Sequence, residues 1–467
     1  MITLHPDDQH QRAVAALRRS YAAVPASSPV RLAKRTSNLF RPRAAVGAAG
    51  LDVSGLGGVL AIDPDARTAE VQGMCTYERL VAATLAHGLM PLVVPQLRTI
   101  TLGGAVSGLG IESTSFRHGL PHESVVEMDI LTGSGDLVTA RPDGENADLY
   151  TAFPNSQGSL GYATRLRIEL QPIAARVALR NVAFTDLDVL IAAVTEVTAT
   201  GMWQGRTVDA MDGVVFGPTE GYLVLAALDP ATVDPAESAS DYTGQAIYYR
   251  SIPDRRSDVL TGHDYLWRWD TDWFWCSRAF GVQNRYLRRV WPARYRRSDV
   301  YHRLVGLENR YRIAARVDRW RGLPERERVV QDVEIPIEAT AGFLRWFLGH
   351  VPMTPIWLCP LRLREPDGPG SARRWPLYPL QPGQSYVNIG FWGTVPIGPT
   401  ARDGDVNRAV ERAVSDAGGH KSLYSDAYYD RETFDHLYGG DIYHTVKDRY
   451  DPDHRLTDLY TKVVGRR

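Results

Sequence analysis

Cysteine and lysine are both scarce in this chain of 467 residues. The three cysteines are widely spaced and odd in number, so we expect neither a disulfide framework nor a zinc or other metal site. Only four of the 53 basic residues are lysines, which leaves 49 arginines. The formal net charge of −1 excludes a general electrostatic attraction to nucleic acid, and we predict no nucleic-acid partner.

Long apolar runs are absent as well. No run of about 18 apolar residues occurs, so the sequence predicts no membrane-spanning helix. Residues 1–8 lack the basic and apolar regions of a secretory signal. We therefore expect a cytoplasmic protein with reduced thiols, and a chain of 467 residues indicates two or three domains.

The sequence does contain a dense glycine run between Thr101 and Ser113. Its four glycines, at positions 103, 104, 108 and 110, are separated by small or apolar residues. Glycine reaches positive φ without steric penalty and lets a ligand approach the backbone closely. Consecutive N–H groups in such a turn form a concavity suited to phosphate oxygens. A buried glycine-rich turn without a ligand explains the run equally well, and no clear βαβ unit surrounds it as the Rossmann fingerprint requires.

The flanking segments carry a family resemblance. Upstream lies Met90-Pro91-Leu92-Val93-Val94-Pro95-Gln96, and downstream lie Phe116-Arg117-His118-Gly119-Leu120 and a second glycine turn, Ser156-Gln157-Gly158-Ser159-Leu160-Gly161. This ordered series resembles the FAD-binding domain of the vanillyl-alcohol oxidase and p-cresol methylhydroxylase (PCMH) superfamily. The run Gly-Ile-Glu-Ser-Thr-Ser at 110–115, followed by His-Gly-Leu at 118–120, is most similar to the Δ24-sterol reductase branch. Segments 329–336, 355–361 and 421–428 resemble the substrate domain of that branch.

The resemblance implies an α+β fold with a PCMH-type FAD domain and a substrate domain, and FAD that is reduced by NADPH. The residues that it places against FAD are Gln96, Thr101, Leu102, Gly103, Gly104, Ala105, Val106, Ser107, Gly108, Gly110, Ile111, Glu112, Ser113, Gly158, Ser159 and Gly161. The usual first phosphate loop of the superfamily corresponds here to residues 34–40, which contain neither glycine nor histidine. We therefore expect non-covalent FAD, with Arg35, Ser37 and Asn38 as pyrophosphate contacts, although a solvated basic loop is the alternative.

Reduction of an isolated alkene requires a protein acid, because no neighbouring carbonyl can hold negative charge. Tyr424, Asp426 and Tyr428 form one candidate cluster, in which a carboxyl group relays a proton to a tyrosine whose usual pKa is about 10. Glu112 and His118 follow the glycine run and are further candidates. The alternatives are a buried strand face for the tyrosine cluster, a turn-capping surface carboxylate for Glu112 and a structural role for His118.

Composition and periodicity also divide the chain. We predict an N-terminal helical segment at 1–25, an FAD domain at 26–175 and a substrate domain at 176–435. Residues 436–467 would pack back on the FAD domain. Within the FAD domain the pattern predicts strands at 59–62 and 69–72, a helix from Thr76 to His87 and a closing strand at 163–170. Helices are also predicted at 8–24 and 187–200.

An aromatic and arginine-rich insert, residues 263–325, interrupts the substrate domain. Between 265 and 301, eleven of 37 residues are aromatic and eight are arginine. Such a mixture suits a boundary between apolar and aqueous surroundings, which indicates peripheral contact of 263–301 with the inner face of a membrane or a lipid-entry lid. Ordinary core packing is the alternative.

We expect an FAD-dependent reductase that uses NADPH to reduce a carbon–carbon double bond of a lipid. A methylene-branched fatty acyl chain and a sterol side chain are both candidate substrates. A sugar-lactone or alcohol oxidase of the same superfamily is a second interpretation, and a non-catalytic flavoprotein partner is a third.

Overall fold

A computed structural model describes residues 6–34, 40, 50–229, 233, 237–311, 316 and 319–464. The strands are β1 (Val59–Asp63), β2 (Thr68–Gln72), β3 (Leu89–Pro91), β4 (Val125–Leu131), β5 (Leu137–Ala140), β6 (Tyr162–Pro172), β7 (Arg176–Phe184), β8 (Met202–Trp203), β9 (Arg206–Thr207), β10 (Ala210–Gly217), β11 (Glu220–Ala227), β12 (Ser257–Thr261), β13 (Arg326–Pro336), β14 (Ile356–Arg362), β15 (Ser385–Pro396) and β16 (His420–Lys421). The helices are α1 (Pro6–Ala22), α2 (Tyr77–Leu85), α3 (Leu102–Ser107), α4 (Ser115–His118), α5 (Ala147–Ala152), α6 (Leu187–Thr200), α7 (Tyr248–Ser251), α8 (Gly262–Leu266), α9 (Arg285–Val290), α10 (Ser298–Tyr311), α11 (Ile337–His350), α12 (Asp405–Asp416), α13 (Arg431–Leu437), α14 (Gly440–Tyr450) and α15 (Leu459–Val463).

The N-terminal half of the chain forms a six-stranded antiparallel sheet in the order β1-β2-β6-β4-β5, with β3 also paired to β6. Local signals fix its elements where the sequence predicts them. The Asp63 carboxylate accepts from the Ala66 N–H at 2.9 Å and closes the turn between β1 and β2. Thr76 caps α2 by accepting from the Arg79 N–H. The predicted strands and helices of this half are confirmed to within a few residues.

The second half forms an eight-stranded antiparallel sheet in the order β12-β7-β11-β10-β14-β15-β13-β16. Helices α6, α11 and α12 bury their apolar sides against one face of it. The opposite face contributes Val214, Trp357 and Tyr386 to a core shared with the first sheet and with the aromatic insert. Two sheets with helices on one face of the larger one confirm the predicted α+β fold class.

Four tryptophans of the insert belong to this shared core, whereas Trp320 is 84% exposed. Trp267 and Trp269 are each 1% exposed, Trp273 is 4% and Trp275 is 3% exposed. These four rings therefore cannot meet a membrane, which corrects that part of the predicted peripheral contact through 263–301. The segment is able to face the core because its neighbouring arginines are neutralised there: Arg268 and Arg288 are buried in ion pairs.

The C-terminal helices return to the first sheet. Helix α14 packs against α5, and the buried ammonium of Lys447 donates to the Ser159 carbonyl oxygen at 3.1 Å. At the other terminus, α1 buries Val14 and Leu17 against Leu51 and Leu456. Helices α1 and α14 thus lie on the half of the molecule that carries the glycine run.

Candidate functional site

A cavity of about 930 Å³ lies between the two sheets and joins the glycine run to the aromatic insert. Its volume falls at the upper end of the range found for ligand sites in proteins, about 300–1,000 Å³. One end is lined by backbone of α3 and by residues 30–34, and the other by side chains of β13, β14 and β15. The two ends differ in chemistry and are described in turn.

Glycines form much of the wall at the first end. Gly103, Gly104, Gly108, Gly110 and Gly158 all line the cavity, so backbone rather than side chain faces the space. Of these, Gly158 has a positive φ, 73°, and the glycines of the 101–113 run do not. Those glycines instead allow neighbouring backbone segments to approach each other closely. A Cβ at Gly108, for example, would stand 2.7 Å from the Gly104 carbonyl oxygen. The run is therefore a short capped helix, α3, rather than the expected turn.

The same end carries positive charge. Arg31, Lys34 and Lys462 line it. Of the two carboxylates in the described lining, Asp299 is paired with Arg297 and Arg303, and Asp332 lies on β13 at the aromatic end. Lys34 donates to Thr101 Oγ1 at 3.2 Å and Lys462 donates to the Gly158 carbonyl oxygen at 2.7 Å. Cations beside open backbone suit a diphosphate, so the residues present fit the FAD that the family resemblance implies.

The cavity includes many of the residues predicted to bind FAD and leaves others out. Those that line it are Gln96, Thr101, Gly103, Gly104, Ser107, Gly108, Gly110, Ile111 and Gly158. Leu102, Ala105 and Val106 point from α3 into the core instead. Ser113 is buried against the Tyr265 hydroxyl at 2.7 Å, and Ser159 and Gly161 support the second glycine turn from outside the lining. Arg35, Ser37 and Asn38 lie outside the described residues, although Lys34 and Phe40 on either side of them line the cavity.

Glu112 is buried beneath the cavity wall. Its carboxylate accepts from Arg268 at 3.0 Å, and the same guanidinium nitrogen donates to Asp212 at 3.0 Å. Burial raises the pKa of Glu112 and outweighs the lowering effect of Arg268. Gln96, which does line the cavity, donates to Glu112. Glu112 is thus one residue removed from the cavity, at the centre of a buried ion-pair network rather than on the surface.

His118 lies farther away. Its Nε2 pairs with the Gln171 side-chain oxygen at 3.0 Å, and neither residue belongs to the cavity lining. Burial, with the nearby Arg117 and Arg364, lowers the pKa of His118 to about 4, which keeps the imidazole neutral near pH 7. This position favours the structural interpretation of His118.

Four aromatic rings form the second end: Trp273, Phe274, Trp357 and Trp392. Phe274 and Trp392 have ring centroids 4.3 Å apart, and Phe274 and Trp357 5.2 Å apart. Trp273 and Phe274 are consecutive residues with φ of 46° and 58°. Bulky residues rarely adopt this left-handed conformation, which costs of order 1–3 kcal/mol each. Such strain persists only where the surroundings impose it, and here it directs both rings into the cavity.

One buried acid faces this aromatic end. Asp332 on β13 lines the cavity together with Tyr424, and the two side chains lie close enough for each to shift the pKa of the other. Asn388 donates to Asp332 at 3.0 Å, and Trp392 Nε1 donates to the Tyr424 hydroxyl at 2.8 Å. Burial raises the pKa of Asp332 to about 6, against the lowering effects of Asn388 and Tyr424. The pKa of Tyr424 is raised above its usual value by burial and by the nearby Asp332.

The strand opposite makes room for this pair. Asp332 is in register with Gly390 of β15, and a Cβ at Gly390 would stand 2.5 Å from Asp332 Oδ1. The same Cβ would stand 2.5 Å from the Trp392 ring. Only glycine at this position lets the carboxyl group and the indole lie side by side.

Asp426, the predicted partner of Tyr424, is placed differently. It pairs with Arg328 at 3.1 Å and does not belong to the cavity lining. The carboxyl group that meets Tyr424 is Asp332, which sequence reasoning missed. Its signal was available: Asp332 and Glu334 are charged residues within Val329–Pro336, a strand whose other members are largely apolar, and buried charges are rare without a specific role.

Comparison with known proteins agrees with this architecture. Residues 10–141 match the FAD binding domain family. The chain is 24% identical to the Δ24-sterol reductase of Homo sapiens over 420 residues, which cover 87% of this chain and 76% of that protein. It is 23% identical to the Δ24-sterol reductase of Arabidopsis thaliana over 457 residues, covering 88% and 76%. Cytokinin dehydrogenase 7 of Oryza sativa subsp. japonica is 40% identical over 108 residues, 23% of this chain and 20% of that protein.

Fold, cavity and family match together define the class of protein: the chain is an FAD-dependent oxidoreductase. Within that class, the proteins that it resembles over most of its length are Δ24-sterol reductases, which confirms the resemblance predicted from the motifs. In the described residues no helix combines the length and the apolar character that crossing a membrane requires.

Proposed function

We propose that this oxidoreductase reduces a carbon–carbon double bond of a lipid, with NADPH as the electron donor. The observation that carries the proposal is the two-ended cavity. A cationic, glycine-lined end suits a diphosphate, and an aromatic end suits an apolar substrate beside one buried acid. FAD, when bound without a covalent link, supplies the hydride that the reduction needs. The relationship to Δ24-sterol reductases supports the choice of reaction.

The residues of the aromatic end have two tasks in this proposal. Trp273, Phe274 and Trp392 exclude water, and a dry site strengthens the charge interactions within it. The Tyr424 hydroxyl donates the proton that adds to the less substituted carbon of the alkene, and hydride transfer follows. A tyrosine with a raised pKa is a weak acid by itself, so in this proposal it depends on a proton from its neighbour Asp332, whose pKa of about 6 lies near the working range.

Two lipid classes fit the proposal, a methylene-branched fatty acyl chain and a sterol side chain. Both present an isolated alkene whose protonation at the less substituted carbon gives a tertiary cation. Such a substrate has to leave a membrane to enter the cavity, and we include peripheral membrane contact of the insert in the proposal.

Anaerobic stopped-flow measurements test the proposed reaction. The purified holoprotein should lose its yellow colour on addition of NADPH and regain it when either alkene lipid is added, with loss of the double bond seen by mass spectrometry. Rapid reoxidation by oxygen with peroxide release, and no effect of alkene, would instead indicate an oxidase. A flavin that NADPH never bleaches would indicate a non-catalytic partner.

A further inference from the structure

Exposed apolar side chains are concentrated in one part of the insert. Twelve large hydrophobic residues are exposed in the described chain, and eight of them lie between positions 286 and 323. Val290 is 74% exposed and Tyr286 is 71% exposed. Isolated exposed apolar residues are ordinary, but this density in one short segment marks an interaction surface.

Arginines accompany these residues. Arg285, Arg289 and Arg294 are exposed, and within the described residues none of the three is paired with a carboxylate. Arg285 lies over the Tyr286 ring, 5.0 Å from its centroid, and Arg294 lies 4.9 Å from the Tyr295 centroid. Between 285 and 311 the sequence has only two acidic residues, Asp299 and Glu308. The surface is therefore both apolar and positively charged.

The backbone that carries this surface is rigidly anchored. Arg288 is buried and donates to the Asp272 carboxylate from its two terminal guanidinium nitrogens, at 2.7 and 3.0 Å. Arg296 is also buried and donates to the carbonyl oxygens of Gly244, at 2.6 Å, and Trp291, at 2.9 Å. The two buried arginines fix the position of α9 and of the turn that follows it. The exposed side chains of this segment, such as Tyr286 and Val290, therefore do not contribute to the core.

Helix α10 connects this surface to the cavity. Asp299, His302 and Arg303 line the cavity, and Leu307, one turn farther along, is 51% exposed. A molecule that rests on the exposed side of α10 is therefore within one or two helical turns of the cavity, about 5–10 Å.

We propose that Tyr286, Leu287, Val290, Tyr295 and Leu307, with Arg285, Arg289 and Arg294, form a docking surface for an anionic lipid bilayer. Tyrosine and aliphatic side chains would enter the headgroup region while the guanidinium groups bind phosphates. The assignment rests on the proposed lipid substrate, because it places the cavity entrance at the source of that lipid. It assigns the membrane contact to exposed residues of the insert in place of the four buried tryptophans.

Vesicle co-sedimentation of the holoprotein tests the surface without any turnover. Vesicles of saturated-chain phosphatidylcholine, with or without about 30% saturated-chain phosphatidylglycerol, contain no alkene. We expect binding to the anionic vesicles that weakens by about tenfold or more at high salt. The triple change Tyr286→Ser, Val290→Ser and Leu307→Ser, and separately the pair Arg289→Glu and Arg294→Glu, should each reduce binding by a similar factor.

Matched changes elsewhere provide the control. Val189 and Met202 are 58% and 43% exposed and Arg206 is exposed, all outside the insert, so Val189→Ser with Met202→Ser, and Arg206→Glu, should leave binding unchanged. Equal binding to uncharged vesicles, or equal loss in the control variants, would overturn the proposal. So would a holoprotein dimer in sedimentation velocity that only the insert variants dissociate, with vesicle binding unaffected. Failure of alkene reduction in detergent micelles would count against the proposed function alone.

Discussion

Replacing Asp332 by asparagine separates a proton-donating role from a structural one. The change keeps the size of the side chain, and an asparagine oxygen can still accept from Asn388, which now donates to Asp332 at 3.0 Å. What is lost is the proton that the carboxyl group can pass to Tyr424. We therefore expect flavin binding to persist while reoxidation of the reduced flavin by the alkene slows.

The pKa of about 6 sets the size and the pH dependence of that effect. The protonated carboxyl group is the active form, and it accounts for about nine-tenths of the protein at pH 5 and about one-hundredth at pH 8. General acid catalysis contributes about 10²–10⁴ to a rate. At the lower end of this range, the variant should be about 10²-fold slower than the wild type at pH 5 and nearly equal to it at pH 8.

The assay is the rate of flavin reoxidation by lipid under nitrogen, measured from pH 5 to pH 8.5. Wild-type rates should fall about tenfold per pH unit above pH 6, and the Asp332→Asn profile should be flat. Asp426→Asn is the matched comparison, because Asp426 pairs with Arg328 outside the cavity lining. Parallel profiles for wild type and Asp332→Asn, or a flattened profile only for Asp426→Asn, would refute the role given to Asp332.

The same substitution should slow alkene reduction but increase the stability of the folded protein at alkaline pH. Burial raises the pKa of Asp332 from 3.8 to about 6 in the folded state. The folded protein therefore holds this proton more tightly than the unfolded chain, and the stabilisation present below pH 3.8 is lost as the pH rises through 6. The difference amounts to about 3 kcal/mol. Asp332→Asn should raise the midpoint of thermal unfolding at pH 8, and a lower midpoint there would show that the carboxylate has a structural role.

Three further changes test other parts of the site. Gly108→Val should abolish flavin binding, because its Cβ would stand 2.7 Å from the Gly104 carbonyl oxygen. Gly349→Val is the control, since a Cβ at Gly349 would meet nothing within 4 Å. A yellow Gly108→Val protein would contradict the assignment of the glycine run to flavin binding. Tyr424→Phe should retain flavin but slow its reoxidation by alkene at least about 10²-fold at pH 5, and Tyr428→Phe should not; unchanged turnover would remove Tyr424 from the mechanism. Gly390→Ala should displace Asp332 and Trp392 and lower the rate of alkene reduction while flavin is retained. Gly393→Ala is the control, because its Cβ would meet the flexible side chain of Met353. Equal activity of the two variants would count against the packing argument at Gly390.

The FAD-binding half of the molecule was predictable because its determinants are local. A cap at Thr76, a turn at Asp63 and the closely spaced glycines each act over a few residues, so sequence spacing records them. Even there, the predicted conformation of the glycine run was wrong, because the run forms a short helix and not a turn. Close backbone approach and positive φ both select glycine, and sequence alone does not distinguish the two reasons.

The aromatic end of the cavity could not be predicted in the same way. Tyr424 meets Asp332 from a segment 92 residues away in the chain, and Trp273 and Trp392 come from two further segments. The nearest carboxylate in sequence, Asp426, was the natural choice for a relay, yet it pairs with Arg328. Sheet register, through Gly390 opposite Asp332, decides which acid reaches the tyrosine, and register is set by the whole eight-stranded sheet.

The insert shows why composition alone gave a mixed result there. Its arginines and aromatic rings perform two tasks that look identical in sequence. Arg268 and Arg288 neutralise the buried carboxylates Asp212 and Asp272, and Asp272 directly precedes the strained residues Trp273 and Phe274. Arg289 and Arg294 have no such partner among the described residues and face solvent. An arginine that is paired with a buried carboxylate supports the interior of the fold. An arginine at the surface without such a partner remains available to bind phosphate groups. The presence of a carboxylate partner, rather than the residue type, therefore separates the two proposed roles.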